Sequence, residues 1–366
     1  LSKATWTTIP EFSGTLDGNG YTITMPTDAP VFGKITGTVK NVNLKGTVTL
    51  GAEDVSTDKY VFITSNVDLV AAGTLANVVD GGTVEQVTSD LNVTFNLAEV
   101  DKTVVGGLVG LVRSESAEKA ATIKNVLVKG SVKSTQKTDN NAETFGGLVG
   151  GVEGNVLIDT VDVQSSLVIT SCQGNRAGVA GYVNEGQVSG TDAYRKPLAV
   201  ITNTVFSGSA TVNGETLSER FGGIVGYGRS FTLKNSAVTG TVTDEVGSAI
   251  DPLVGYCNAS KDWHAVVVEN CLVTGTRVVA EGVTANGNNA IVRIKGTYST
   301  LKGFIYVTGD KLNKETLTVA DAVEKANAAE ATTAFVALEG NADIYEVVDG
   351  KLTVKNVGKT NQVIDT

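Results

Sequence analysis

One histidine, His264, stands in 366 residues, beside three cysteines, one methionine, two tryptophans and five prolines. A zinc protease of the His-Glu-x-x-His type needs two histidines one helical turn apart, and this chain does not supply them. A Ser-His-Asp site would have to use His264, in Asp262-Trp263-His264-Ala265, and no Gly-x-Ser-x-Gly elbow accompanies it. His264 is therefore expected to be a solvated loop residue. Cys172, Cys257 and Cys271 match no metal-ligand spacing, and three thiols cannot all pair with one another. No metal and no cofactor are expected. No run of about 18 apolar residues is present to span a bilayer as a helix. The chain starts at Leu1, without a basic segment followed by an apolar one, and is expected to be a mature fragment whose leader has been removed.

Charge is scarce and of the wrong sign for nucleic acid. Charged residues make up 19%, and 29 Lys+Arg against 39 Asp+Glu give a formal charge of −10 and an isoelectric point near 4.8. A polyanion would meet repulsion instead of counterion release, so nucleic acid is not an expected partner. Apolar residues make up 41%, enough for a folded chain.

What is abundant is 55 Val, 46 Thr and 42 Gly. β-Branched side chains are stiff at χ1 and suit a pleated surface, so a mostly β protein punctuated by glycine turns is expected and a helical bundle is excluded. Two short elements alternate along the chain. The first is Gly-Gly-apolar-apolar-Gly, as Gly106-Gly107-Leu108-Val109-Gly110, Gly146 to Gly150 and Gly222 to Gly226, with weaker copies at 31–35, 72–75, 177–181 and 251–255. The second is Asn-x-x-apolar-x-Gly-[Ser/Thr], starting at Asn41, Asn125, Asn203, Asn235 and Asn270, with degenerate copies near 86–92 and 159–165. Successive starts lie 29 to 45 residues apart, which is what stacked coils produce when inserts leave as loops while strands keep register. Alternation puts the first and third residues after Asn on one face, such as Val42 with Leu44, and that face should point inward. The Asn is expected to adopt the left-handed conformation and to bond its counterpart one coil away.

These residues resemble the GLUG repeat, and Phe12 to Ile23, with Asp17-Gly18-Asn19-Gly20 at its centre, looks like the first coil of secreted bacterial β-helix proteins that carry it. The resemblance covers residues 10 to about 280. It implies a pectate-lyase-like parallel β-helix on a bacterial cell surface, most often of gut Bacteroidetes or Gram-positive species. Such repeats stand beside adhesin and immunoglobulin A1 protease modules. Copies at 72–92 and 158–165 depart from the pattern, and regular geometry is not expected of them.

The expected fold is all-β: a parallel β-helix of seven or eight irregular coils over 1–300, with a small C-terminal α/β cap over 301–366. Right-handedness follows from the general preference of parallel crossovers. Leu44, Leu108, Val128, Leu148, Val179, Phe206, Ile224, Val238, Leu253 and Val273 should be buried. Cys257 and Cys271 fall at inward positions and should be core thiols. In the cap, 318–330 predicts a helix, and 333–338 and 345–348 predict strands, the last turning at Asp349-Gly350 into 351–354.

Catalytic residues are not found. Arg293-Ile294-Lys295 matches one motif of polygalacturonases, but the Asp-Asp pair and Gly-His-Gly that accompany it there are missing. Acids such as Glu115, Glu118, Asp139, Glu143, Glu215, Glu219, Asp244 and Glu245 fall in polar inserts and are expected to be solvated. The sharper feature is the position after Leu-Val-Gly, which reads Leu111, Gly151, Tyr182, Tyr227 and Tyr256 in successive copies. Tyr182, Tyr227 and Tyr256 would stack about 4.8 Å apart, as a sugar-binding platform or as a stabilising ladder. Arg176, Arg229, Tyr194 and Trp263 lie in adjacent loops. The expected protein is a monomeric, extracellular, non-catalytic binding or structural module whose partners are glycans or cell-surface proteins. A carbohydrate-active enzyme is the alternative.

Overall fold

The computed structural model describes residues 6–25, 28–55, 60–62, 67–136, 143–170, 174–185, 199–214, 220–285, 292–307 and 328–360. The chain is mostly β and its sheets are parallel, as the Val and Thr content requires. Among the described residues, three sheets of nine, seven and fourteen strands hold nearly all of it. Each full repeat gives one segment to each sheet in the same order. Thr144–Gly146 joins the seven-stranded sheet, Val149–Gly154 the nine-stranded sheet, and Val156–Val163 with Ser166–Thr170 the fourteen-stranded sheet. The next repeat follows with Asn175–Ala177, Ala180–Asn184, and Ala199–Phe206 with Ser209–Asn213. Among the described residues, the antiparallel pairs are Tyr60–Phe62 with Val67–Ala72 and the hairpin Tyr345–Val348 with Lys351–Val354.

Parallel pairing in register places every side chain beside its counterpart in the neighbouring repeat, so residues form columns. The inward columns are apolar, and all ten residues expected in the core are at most 2% exposed. Each fully buried Val or Leu contributes roughly 1.5–3 kcal/mol. One such column runs Val42, Val87, Val126, Val161, Thr204, Ser236, Cys271, which makes Cys271 a core thiol as its register predicts. Burial pushes its thiol up to about 12, and Cys257 is likewise free, buried and shifted upward. Cys172 lies outside the described residues.

The two sequence elements make the two bends. At Gly-Gly-Leu-Val-Gly the chain turns between the seven- and nine-stranded sheets while Leu108, Leu148, Val179 and Ile224 enter the core. A Cβ on Gly147 would stand 2.2 Å from the Gly178 carbonyl oxygen, so only glycine permits this backbone approach. In the second element Asn41, Asn125, Asn203, Asn235 and Asn270 all hold φ between 49° and 58°. Asn tolerates this region because its short amide bonds locally. Asn270 Nδ2 donates to Asn235 Oδ1 at 3.4 Å, the expected bond between counterparts. The degenerate copies keep the bend. Gln86 and Thr160 hold φ of 53° and 55°, and Asp159 takes the missing amide's place by accepting from Asn203 Nδ2 at 2.8 Å.

Charged columns alternate in sign. One reads Asp17, Lys40, Glu85, Lys124, Asp159 across five strands, then Thr202, Lys234, Glu269, Lys302 across four more. Lys40–Asp17, Lys124–Asp159 and Lys302–Glu269 approach to 3.3, 3.6 and 3.1 Å. Each exposed pair is worth little on its own. A pairing that skipped one repeat, however, would set Lys on Lys and acid on acid throughout the first five, so the alternation specifies neighbours.

The C-terminal segment differs from expectation in two ways. Helix Ala328–Val336 occupies most of the 333–338 stretch expected to be a strand, while 318–327 lies outside the described residues. The reason is packing: Ala331 and Phe335 share one face at i, i+4 and are buried in a cluster with Ala237 and Leu272, while the Thr332 and Thr333 hydroxyls are satisfied by donating to the Ala328 and Ala329 carbonyls at 2.7 and 3.0 Å. The hairpin at Asp349-Gly350 forms as its turn residues predict. Strand Ser299–Val307 crosses the expected boundary at 300 and pairs with Val266–Val273. Beyond it, the described part of the segment lies along the flank of the stack. Phe335, Tyr345, Leu352 and Val357 pack on Val205, Ala237 and Leu272, the outward residues between the two inward ones of the Asn element. Farther along, Gly358 N donates to Asn125 Oδ1 at 2.9 Å and Asn43 Nδ2 donates to Thr360 Oγ1 at 3.0 Å.

Thr160 is a β-branched residue held where Asn is preferred. Thr160→Asn is expected to stabilise the protein by about 1 kcal/mol, and Gly147→Ala to destabilise it by about 2–3 kcal/mol, both read from denaturant unfolding curves. A stabilising Gly147→Ala would disprove the close approach at the bend.

Candidate functional site

Strands Ala180–Asn184, Val225–Gly228 and Val254–Asn258 lie side by side and bring Tyr182, Tyr227 and Tyr256 into one column. The preceding glycine bends each strand so that Val183 and Cys257 point inward, while the rings stand on the outside, each partly exposed. Ring centroids are 5.1 Å apart for Tyr182–Tyr227, with planes 1° from parallel, and 5.4 Å for Tyr227–Tyr256, at 27°. Gly151 precedes Tyr182 in the column, and Tyr182 packs against the buried group that contains Leu111 and Val104. The rings therefore turn their faces to one another along the stack. Edges and hydroxyls are what they offer to solvent.

Polar groups flank the column on both sides. From the seven-stranded sheet the Arg220 guanidinium lies 3.8 Å from the Tyr256 ring centroid, a cation–π contact across the bend. On the other side Arg229 Nη2 donates to the Tyr182 hydroxyl at 3.1 Å and Nε donates to Asn184 Oδ1 at 2.7 Å. Glu185 joins two repeats at once, with Oε2 3.0 Å from Arg229 Nε and Oε1 3.3 Å from His264 Nε2. Burial disfavours the Arg229 charge, but Tyr182, Glu185 and Tyr227 outweigh it and hold the guanidinium protonated. The imidazole behaves in the opposite way: burial lowers its pKa, with the positive Arg229 and Lys261 adding to that, and Glu185 only partly opposes. A neutral His264 that donates Nε2–H to Glu185 leaves Nδ1 as a buried acceptor, and among the described residues Nδ1 and Asn184 Nδ2 have no hydrogen-bond partner.

Several expectations need correction. His264 is 6% exposed and lies within hydrogen-bonding distance of Glu185, not solvated, because the single turn Asp262–His264 folds its ring back over the preceding repeats. Arg176 is not beside the tyrosines. Its register follows Phe145 and precedes Phe221 on an inward column, where it is fully buried and Nη2 donates to Ser248 Oγ at 3.2 Å. Asp244 and Glu143, expected in solvated inserts, are fully buried; Asp244 accepts from Gly247 N and Ser248 N at 2.8 and 3.0 Å and pairs with Arg277 at 2.6 Å. Trp263 stands in the turn before His264, with Lys261 Nζ 4.8 Å from its ring centroid and its carbonyl accepting from the Ser230 hydroxyl. Tyr194, Asp139, Glu215 and Glu219 lie outside the described residues. Asn184, Glu185 and Arg220 were not singled out in the sequence. A signal for one of them existed, since the position two after the tyrosine column reads Arg113, Glu153, Asn184, Arg229, Asn258 and must share its face.

Among the described residues no group of three or more His, Cys, Asp or Glu could hold a metal ion, and no helix is long and apolar enough to cross a membrane. Compared with protein-family models, with curated proteins and with solved structures, the chain matches none.

The His264 environment sets a pH dependence. Its folded-state pKa lies below the ordinary imidazole value of 6.5, so well above pH 6.5 both states carry a neutral ring and stability is unaffected. As pH falls below 6.5 the unfolded chain takes up the proton first, and stability declines until the folded pKa is reached. His264→Gln is expected to flatten that part of the stability–pH curve measured by denaturant unfolding. An unchanged slope would place His264 in solvent.

Proposed function

We propose that the chain is a parallel β-helix of the GLUG-repeat kind that serves as a non-catalytic, surface-exposed binding module of a bacterial envelope protein, recognising glycans along the tyrosine column. The observation that carries this reading is the exterior ladder Tyr182–Tyr227–Tyr256, edged by Arg220 on one side and by Arg229 and Glu185 on the other. Phenol hydroxyls and a guanidinium–carboxylate pair are donors and acceptors matched to sugar hydroxyls; the tyrosines stand on strands, and Arg229 and Glu185 follow directly on the strand ends at Gly228 and Asn184. Recognition is polar and edge-on, because the ring faces are already stacked on one another. The bacterial surface location comes from the repeat resemblance, and a rigid parallel stack with variable inserts suits display.

A carbohydrate-active enzyme is the second reading. The observation in its favour is the Glu185–His264 pair, a carboxylate-oriented imidazole of the sort that proton transfer uses.

A glycan array and a depolymerisation assay on the same sample separate the two. The binding reading expects retention without product. The triple variant Tyr182→Phe, Tyr227→Phe, Tyr256→Phe keeps the stacked rings and removes three hydroxyls, so it should reduce glycan retention at least tenfold with the thermal midpoint nearly unchanged. Undiminished retention would remove the column from the binding reading, and turnover of a polysaccharide would favour the enzyme.

A further inference from the structure

We propose that the two terminal faces of the strand stack recognise each other, so that one copy of this chain docks head to tail on a second copy. The proposal rests on the parallel register alone and is independent of glycan binding.

Among the described residues, Ile9–Phe12, Thr15–Asp17 and Thr22–Thr24 have a strand neighbour on one side only, and so do Val292–Lys295 and Ser299–Val307 at the opposite face. Each face therefore presents backbone N–H and C=O groups that an added parallel strand would satisfy. Register shows which strand fits. Thr15, Leu16 and Asp17 begin the three columns that end at Thr300, Leu301 and Lys302. If a second copy continues the stack, its Thr15 meets Thr300, its inward Leu16 meets inward Leu301, and its Asp17 meets Lys302. The alternation of charge along that column then carries on across the junction without a break. The apolar interior is also incomplete at both faces: Phe12, Leu16 and Ile23 at one and Leu301 at the other are only partly buried against the core. Tyr21, 67% exposed, and Tyr298, 46% exposed, stand beside the two faces.

Charge and direction select the partner face. Two copies joined by their Asp17 faces would bring acid against acid and reverse the strand direction. Joining the Asp17 face to the Lys302 face keeps all strands parallel and pairs opposite charges. Such a contact is heterologous and does not close on itself, so it yields dimers and then longer linear assemblies.

Sedimentation velocity on the full 366-residue chain, from about 1 µM to about 1 mM, tests this. Wild type is expected to show concentration-dependent association that weakens with added salt. Asp17→Lys alone and Lys302→Asp alone should each weaken it about three- to tenfold, with thermal unfolding measured to show that each variant is folded. An equimolar mixture of the two variants should associate like wild type, because every junction between unlike chains pairs Lys with Asp. A single monomeric species of wild type at all concentrations would overturn the proposal. So would association untouched by either reversal, or a mixture no better than its components.

Discussion

Parallel strands in register oblige each side chain to lie about 4.8 Å from its counterpart in the next repeat, and the rest of this structure follows from living with that neighbour. Apolar residues can be stacked on themselves indefinitely, hence the Val columns of the interior. Hydroxyl residues can also self-pair, as Thr241 with Thr276 at 3.1 Å and Ser209 with Ser166 at 3.3 Å. Charges cannot, because like charges at this distance repel, so Asp17, Lys40, Glu85, Lys124 and Asp159 alternate. The repeats are similar where similarity is tolerated and different where it is not.

The tyrosine column obeys the same constraint. Rings stacked at strand spacing give their faces to each other and leave their hydroxyl-bearing edges outward. Interior exceptions are absorbed locally. Gly228 stands where Val183 and Cys257 stand in adjacent repeats, and the space it leaves is taken by Phe231, whose ring would be 2.3 Å from an added Cβ. Arg176 sits between two phenylalanine positions of an inward column, and the Ser248 hydroxyl accepts from its guanidinium.

A stack in which each repeat touches only its neighbours should unfold piecewise from its ends. The C-terminal segment changes this by contacting strands far apart in the stack, from Leu272 and Phe304 at one end to Thr88 and Asn43 at the other. Its chemistry follows the surface beneath it: Phe335 and Tyr345 meet Val205, Ala237 and Leu272, while Gly358 and Thr360 meet Thr88, Asn125 and Asn43. Such cross-bracing ties separate repeats into one cooperative unit, at least for the strands it spans.

Short-range periodicity in the sequence settled the strands, the inward residues and the bends, because each depends on two to five adjacent residues whose pattern recurs. Leu108, Val128 and Phe206 are buried where alternation puts them, and the Asn position is left-handed even where Gln86 or Thr160 occupies it. The tyrosine column was legible too, as equivalent positions of three repeats. Tertiary structure decided everything that depends on where non-equivalent residues meet. The parity of the tyrosines was hidden by a glycine bend, the burial of His264 by its contact with Glu185 two repeats earlier, and the place of Arg176 by a register one residue away from the surface. The flank position of the C-terminal segment was hidden as well, since Tyr345 and Asn235 are joined by packing and a hydrogen bond and by no sequence pattern. Periodicity reports which way a side chain points within its own strand; what it touches is fixed only when inserts of unequal length have been folded back onto the stack.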